Sequence, residues 1–128
     1  MVREPTKCSK DPRIAELAEG LKTLSDPSRL RIICFLSKGE ACVCDIEQEL
    51  GVSQQLTSHH LHVLKDAGFL RMRKETTRSL YSIDVDYLKR VNEIFAEYVD
   101  WRNVVVGKQQ VSLCQTRTSS SAEQLGRK

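Results

Sequence analysis

The chain has 128 residues, 40% hydrophobic and 29% charged, with a formal net charge of +3, enough for one domain and a short tail. No run approaches the ~18 consecutive apolar residues of a membrane span, and the first residues lack the apolar core of a secretion signal, so a cytoplasmic protein with no membrane partner is expected. The five cysteines, an odd number, argue against a disulfide framework and for core thiols, metal ligands or redox groups.

Residues 1–11 are polar, include Pro5 and Cys8, and read as a flexible arm. From Pro12, the apolar residues Ile14, Leu17, Ala18, Leu21 and Leu24 recur at helical spacing. Ser25-Asp26-Pro27-Ser28 stops this helix and starts a second, since Asp26 can cap free N–H groups and Pro27 has none to lose at the first helical position. Leu30, Ile33, Cys34 and Leu36 make that second helix mostly buried, with Cys34 as a small core hydrophobe. A short third helix uses Val43, Ile46 and Leu50 and closes at Gly51. Ser53 caps a fourth, with Leu56, Leu61 and Leu64 as its core face, ended by Ala67-Gly68.

Two helices joined around Gly51-Val52-Ser53 form a helix-turn-helix arrangement. The strand-like runs 69–73 and 78–83 flank Lys74-Glu75-Thr76-Thr77, and a hairpin in this place is a wing. Asp84 to about Val106 reads as a long amphipathic helix with Leu88, Val91, Ile94, Phe95, Tyr98 and Val99. A monomer this small has few surfaces to bury that stripe, which suits a second subunit. The expected fold is α+β, mainly α: four helices, two strands and a last helix. Residues 12–106 make a dimeric winged helix-turn-helix domain between the arm and a disordered tail, 107–128.

Residues 51–80 carry Lys65, Arg71, Arg73, Lys74 and Arg78 against Asp66 and Glu75, whereas 81–100 are mostly acidic. One basic face suits a polyanion. With Leu56, Leu61 and Leu64 inward, Gln54, Gln55, Ser58, His59 and His62, next to Ser53, face solvent or a major groove. There Gln bonds adenine in a bidentate way, and Ser or His reaches bases or phosphates. Arg71, Arg73, Lys74 and Arg78 suit phosphates or the minor groove. A two-fold dimer would read a palindromic double-stranded site with half-sites about one DNA turn apart. His59, His60 and His62 are not a metal cluster, because successive helix positions point apart.

Cys42-x-Cys44 is the sharpest chemical feature. Inside a helix, residues two apart sit about 200° around the axis, too far to share an ion. Cys42, however, falls at the N-cap of the third helix, three residues before Asp45, as in a capping box with a thiol for the hydroxyl. The cap lies outside the helix, so both sulfurs can converge into a metal-ready pair.

From about Asp11 to Tyr98 the sequence resembles the ArsR/SmtB family of metal-responsive repressors. The residues that carry the likeness are Leu24 to Ile32, Cys42-Val43-Cys44-Asp45-Ile46, Ser58-His59-His60-Leu61, Leu64 to Leu70, and Leu80-Tyr81-Ser82-Ile83. The resemblance implies a homodimeric transcriptional repressor, not an enzyme, which holds operator DNA when metal-free and releases it when metal binds. The implied inducer is As(III) or Sb(III), which take three thiolates, or Cd(II) or Pb(II), which take three or four.

Some members place a third cysteine where this chain has Glu47, and others bring one from the arm, often across the dimer. That makes Cys8 with Cys42 and Cys44 the expected site. Persulfide-sensing relatives pair a cysteine at the place of Cys34 with one on the last helix. Here no cysteine occurs between Val85 and Val106 and Cys114 lies in the tail, and a thiol redox switch on the same scaffold, through Cys34 with Cys114 or through the Cys42 and Cys44 pair, is the alternative reading. Zinc-sensing relatives bind metal on the last helix, where this chain has Asp84, Asp86, Glu97 and Asp100 without imidazoles, read as a solvated acidic face.

Overall fold

A computed structural model describes residues 7–110. In chain order the elements are α1 (Lys7–Lys10), α2 (Arg13–Leu24), α3 (Pro27–Leu36), β1 (Ala41–Cys42), α4 (Val43–Leu50), α5 (Gln54–Ala67), β2 (Leu70–Glu75), β3 (Arg78–Ile83) and α6 (Val85–Tyr98), then a 3-10 turn, Trp101–Asn103. Three helices, α3, α5 and α6, start where a short polar side chain meets free amides. Asp26 accepts from the Ser28 amide at 2.8 Å with Pro27 behind it, Ser53 from Leu56 at 3.1 Å, and Asp84 from Tyr87 at 3.1 Å. The helix-turn-helix pair is α4 and α5. Gly51 closes α4 at φ +70° and Gly68 closes α5 at φ +103°, left-handed backbone that only glycine adopts without strain.

All the long helices feed one core. Leu17, Ile32, Leu36, Ile46, Leu61, Leu64, Phe69, Leu70, Val91 and Ile94 are buried together, and Phe69 meets Tyr87 edge-on at 4.9 Å between ring centroids. Among the described residues, no helix is long and apolar enough to cross a membrane.

Several expectations change. The expected hairpin forms from β2 and β3, but it gains a third strand: β1 pairs antiparallel with β3, Ala41 opposite Tyr81 and Cys42 opposite Leu80, giving the order β1-β3-β2. Residues 7–10, part of the segment 1–11 expected as a flexible arm, form a helical turn. Lys7 pairs with Glu97, Arg13 bridges Asp11 at 2.6 Å and Glu97 at 2.9 Å, and the Tyr98 hydroxyl donates to Asp11. This clasp ties the N-terminal turn to the end of α6.

The last helix stops at Tyr98, not Val106, because Val99 leaves helical geometry (φ −128°, ψ 69°) and Asp100 caps the 3-10 turn by accepting from Arg102. The β-branched Val104, Val105 and Val106 follow outside any helix. Leu56 is 42% exposed, since it lies in the first turn of α5 while Thr57, His60, Leu61 and Leu64 hold the inner face. Cys34 is exposed, not buried: Ile32 and Leu36 point to the core, and a residue midway between them points away. Exposed apolar residues gather on and beyond α6, namely Val85, Phe95, Val99 and, at 83% exposure, Trp101.

Candidate nucleic-acid interface and thiol cleft

The outer face of α5 presents Gln54, Gln55, Ser58, His59 and His62, all exposed. His62 Nε2 lies 3.0 Å from Asp66 one turn on, and the Ser53 oxygen is engaged as the cap. His60 takes the opposite, inner side, 5% exposed, with Nδ1 3.3 Å from an Arg29 guanidinium nitrogen. Arginine only donates, so Nδ1 accepts and the ring is neutral there. Burial pushes its pKa below the ordinary histidine value, against an upward pull from Asp26.

The wing cations are mostly occupied. Arg71 bonds Asp84 at 3.1 Å, Arg73 donates to both oxygens of Glu40 at 2.8 Å, and Arg78 bonds Glu75 at 2.8 Å. Lys74 has no ion pair among the described residues. The hydrogen bond from Arg73 holds the Glu40 carboxyl below its usual range, and Asp84 is lowered by the Tyr87 amide first and Arg71 second. Glu40 and Asp84 as wing counter-charges are invisible to sequence reading, because they lie 33 and 13 residues from their arginines.

Cys42 is 7% exposed in extended backbone (φ −86°, ψ 164°) at the N-cap of α4, and Cys44 is exposed on the first turn. The capping-box expectation fails in one respect: the Cys42 side chain makes no cap hydrogen bond. Both cysteines line a single cleft of about 380 Å³, with Val43 and Glu47 from α4, Gln54 from the start of α5, and Thr77, Arg78 and Ser79 from the wing. Arg78 is pushed above its already high pKa by its hydrogen bond to Glu75 first, then by the charge of Glu75, with smaller contributions from Cys42 and Asp45.

Cys8 is exposed on α1, inside the clasp to α6. Among the described residues no three His, Cys, Asp or Glu side chains are grouped to hold a metal, so Cys8, Cys42 and Cys44 are not assembled within one protomer. Cys114 lies outside the described residues. The four acidic positions are dispersed: Asp84 caps α6 and meets Arg71, Glu97 meets Lys7 and Arg13, Asp100 meets Arg102, and Asp86 is exposed.

Residues 26–71, from the cap of α3 to the start of β2, match the family model described as bacterial regulatory protein, arsR family. An arsenical resistance operon repressor of Staphylococcus xylosus is 40% identical over 78 residues, covering 61% of this chain and 75% of that protein. A cadmium resistance transcriptional regulatory protein CadC homolog of Staphylococcus aureus is 39% identical over 79 residues, covering 61% and 65%. Among solved structures, the transcriptional repressor BigR from Xylella fastidiosa matches with a TM-score of 0.59 at 32% identity, over 73% of this chain and 97% of that one. With its winged helix-turn-helix, its polar α5 face and these relatives, the chain belongs to the ArsR family of DNA-binding transcriptional repressors and is not an enzyme.

Proposed function

We propose that the protein is a homodimeric repressor that holds a palindromic operator through α5 and the wing. It releases that operator when Cys42 and Cys44 bind a thiophilic metal(loid), As(III) or Sb(III) in the first place and Cd(II) or Pb(II) otherwise. The observation that carries this reading is the shared cleft: two cysteines line the same space as the first residue of α5 and the wing turn. Sulfur donors without an imidazole in the lining suit soft ions. The names of the two Staphylococcus relatives, an arsenical and a cadmium resistance regulator, support the same ion class.

Each residue has a definable part. Cys42 is fixed through β1 to the central strand of the sheet, whereas Cys44 moves with α4. Tying the two sulfurs together therefore biases the angle at which α4, and α5 behind it, leaves the sheet. For an ion that takes a third thiolate, the reading assigns Cys8 of a second copy, since among the described residues one protomer does not bring Cys8 together with Cys42 and Cys44. The exposed stripe of α6, with Val85, Phe95 and Val99, supplies the face for that second copy. A coupling of ~1–3 kcal/mol between ion and operator gives a 5–150-fold change in affinity.

The test is an operator-release titration under reducing conditions, with a fluorescent palindromic fragment from upstream of the gene. Arsenite, Sb(III), Cd(II), Pb(II) and Zn(II) are added in parallel to the wild type and to a Cys42→Ser, Cys44→Ser double variant. Release by a soft ion from the wild type only is the expected result. Operator binding that no ion disturbs refutes the sensor, and release by polysulfide or oxidant alone moves the assignment to a thiol switch through the exposed Cys34.

A further inference from the structure

We propose that Arg78 is the residue through which the thiol cleft controls DNA affinity: its one guanidinium serves either the cleft or a DNA phosphate. This assignment rests on the reading of Cys42 and Cys44 as the sensing pair and deepens it. Arg78 lines the cleft together with both thiols. The pairing of Cys42 with Leu80 places Cys42 on the same sheet face as Arg78, which sits two residues before Leu80 on β3. Because β3 is the central strand, the thiol-bearing β1 and the wing are one hydrogen-bonded unit.

The Arg78 side chain is also free to leave. Its side chain is 56% exposed and, among the described residues, is tied only to Glu75, across the hairpin at 2.8 Å. An exposed pair of this kind is weak, so a phosphate can displace it. No other wing cation has this double position. Arg71 and Arg73 pair with Asp84 and Glu40, neither of which lines the cleft, and Lys74 does not line it either.

The sign of the effect follows from the chemistry of sulfur. A cysteine gives up its S–H proton to bind a soft ion, and although the ion's charge offsets that of the thiolates, the bound sulfur carries no proton and accepts a charged N–H donor better than the weakly accepting thiol does. An occupied cleft therefore keeps the guanidinium turned inward, and an empty one leaves it to the backbone of DNA. By linkage, the phosphate contact weakens ion binding by the same factor.

The experiment compares wild type, Arg78→Ala and Lys74→Ala, all as full chains. Operator affinity is measured by fluorescence anisotropy without ion, with saturating sodium arsenite, and separately with cadmium chloride. Ion binding to the DNA-free proteins is followed by thiolate-to-ion absorbance. Both variants lose operator affinity in the absence of ion, because each lacks a phosphate contact. Only Arg78→Ala should lose coupling, its ratio of operator affinities without and with ion falling about tenfold while that of Lys74→Ala stays within about twofold of wild type. Arg78→Ala should still bind the ion when DNA-free.

If Arg78→Ala keeps the wild-type ratio, or if Lys74→Ala loses as much, the assignment of Arg78 is overturned and the sensing pair stands. If the wild type itself shows no ratio with either ion, both are overturned.

Discussion

In the DNA-free protein Arg73 donates to both oxygens of Glu40 at 2.8 Å, with side chains 54% and 34% exposed. A pair this exposed contributes only about 0.5 kcal/mol to folding. Glu40→Gln should therefore leave stability almost unchanged while relieving Arg73 of its main carboxylate, with Glu75 still 3.9 Å away. A dimer carries two such arginines, and because they meet the same phosphates in wild type and variant, the slope of log affinity against log salt should be the same in both. Wild type gives up the ion pair twice on binding, roughly 1 kcal/mol in all, so the variant should bind its operator about fivefold more tightly at low salt. Anisotropy titrations between about 50 and 200 mM KCl measure both quantities. An unchanged low-salt affinity would show that Arg73 does not exchange Glu40 for a phosphate, and the account of the wing as held back by its own carboxylates would be wrong.

Two further outcomes concern the scaffold. Gly20→Ala should raise stability by about 0.5–1 kcal/mol through loss of unfolded-state freedom. The added Cβ would meet Phe69 and Val91 carbons at 3.6–3.8 Å, ordinary contact distances, and a lower Tm would mean that this interface cannot take a methyl group. His60 has its folded pKa depressed by burial, so the unfolded chain takes up the proton first. Its stabilising effect is complete above the unfolded value of about 6.5 and is lost as pH falls below it. Thermal melts of wild type should drop between about pH 6.5 and 5 more steeply than those of His60→Gln, whose amide oxygen can still accept from Arg29. Equal slopes in the two proteins would remove His60 from the acid response.

Much of this was legible because local chemistry and tertiary context agree. Asp26 and Ser53 are read as caps in the sequence and cap in the structure, and the wing strands lie where aromatic and β-branched residues cluster. The departures share a cause: they depend on partners remote in sequence. A two-residue strand such as β1 has no periodicity, and only Tyr81 and Leu80 opposite it make Ala41 and Cys42 extended. Residues 7–10 look like an arm until Glu97 and Tyr98 are folded back against that segment. Leu56 is apolar at an almost inward angle, but the end of α5 where it sits extends past the core, which Thr57 enters instead. For the cleft, that Cys42 and Cys44 share one lining fits their place at the cap, whereas the presence of Arg78 and Gln54 in the same lining could not be argued from the sequence.

The abrupt end of α6 at Tyr98 has a practical side. Just past it stands Trp101, the single tryptophan of the chain, bordering a shallow groove with Phe95 and Val99. Indole emission shifts to the red in water and to the blue under apolar cover, so unlabelled protein carries its own optical gauge of that end of the helix. A spectrum that moves on dilution would report whatever settles against α6, with no second indole to blur the signal.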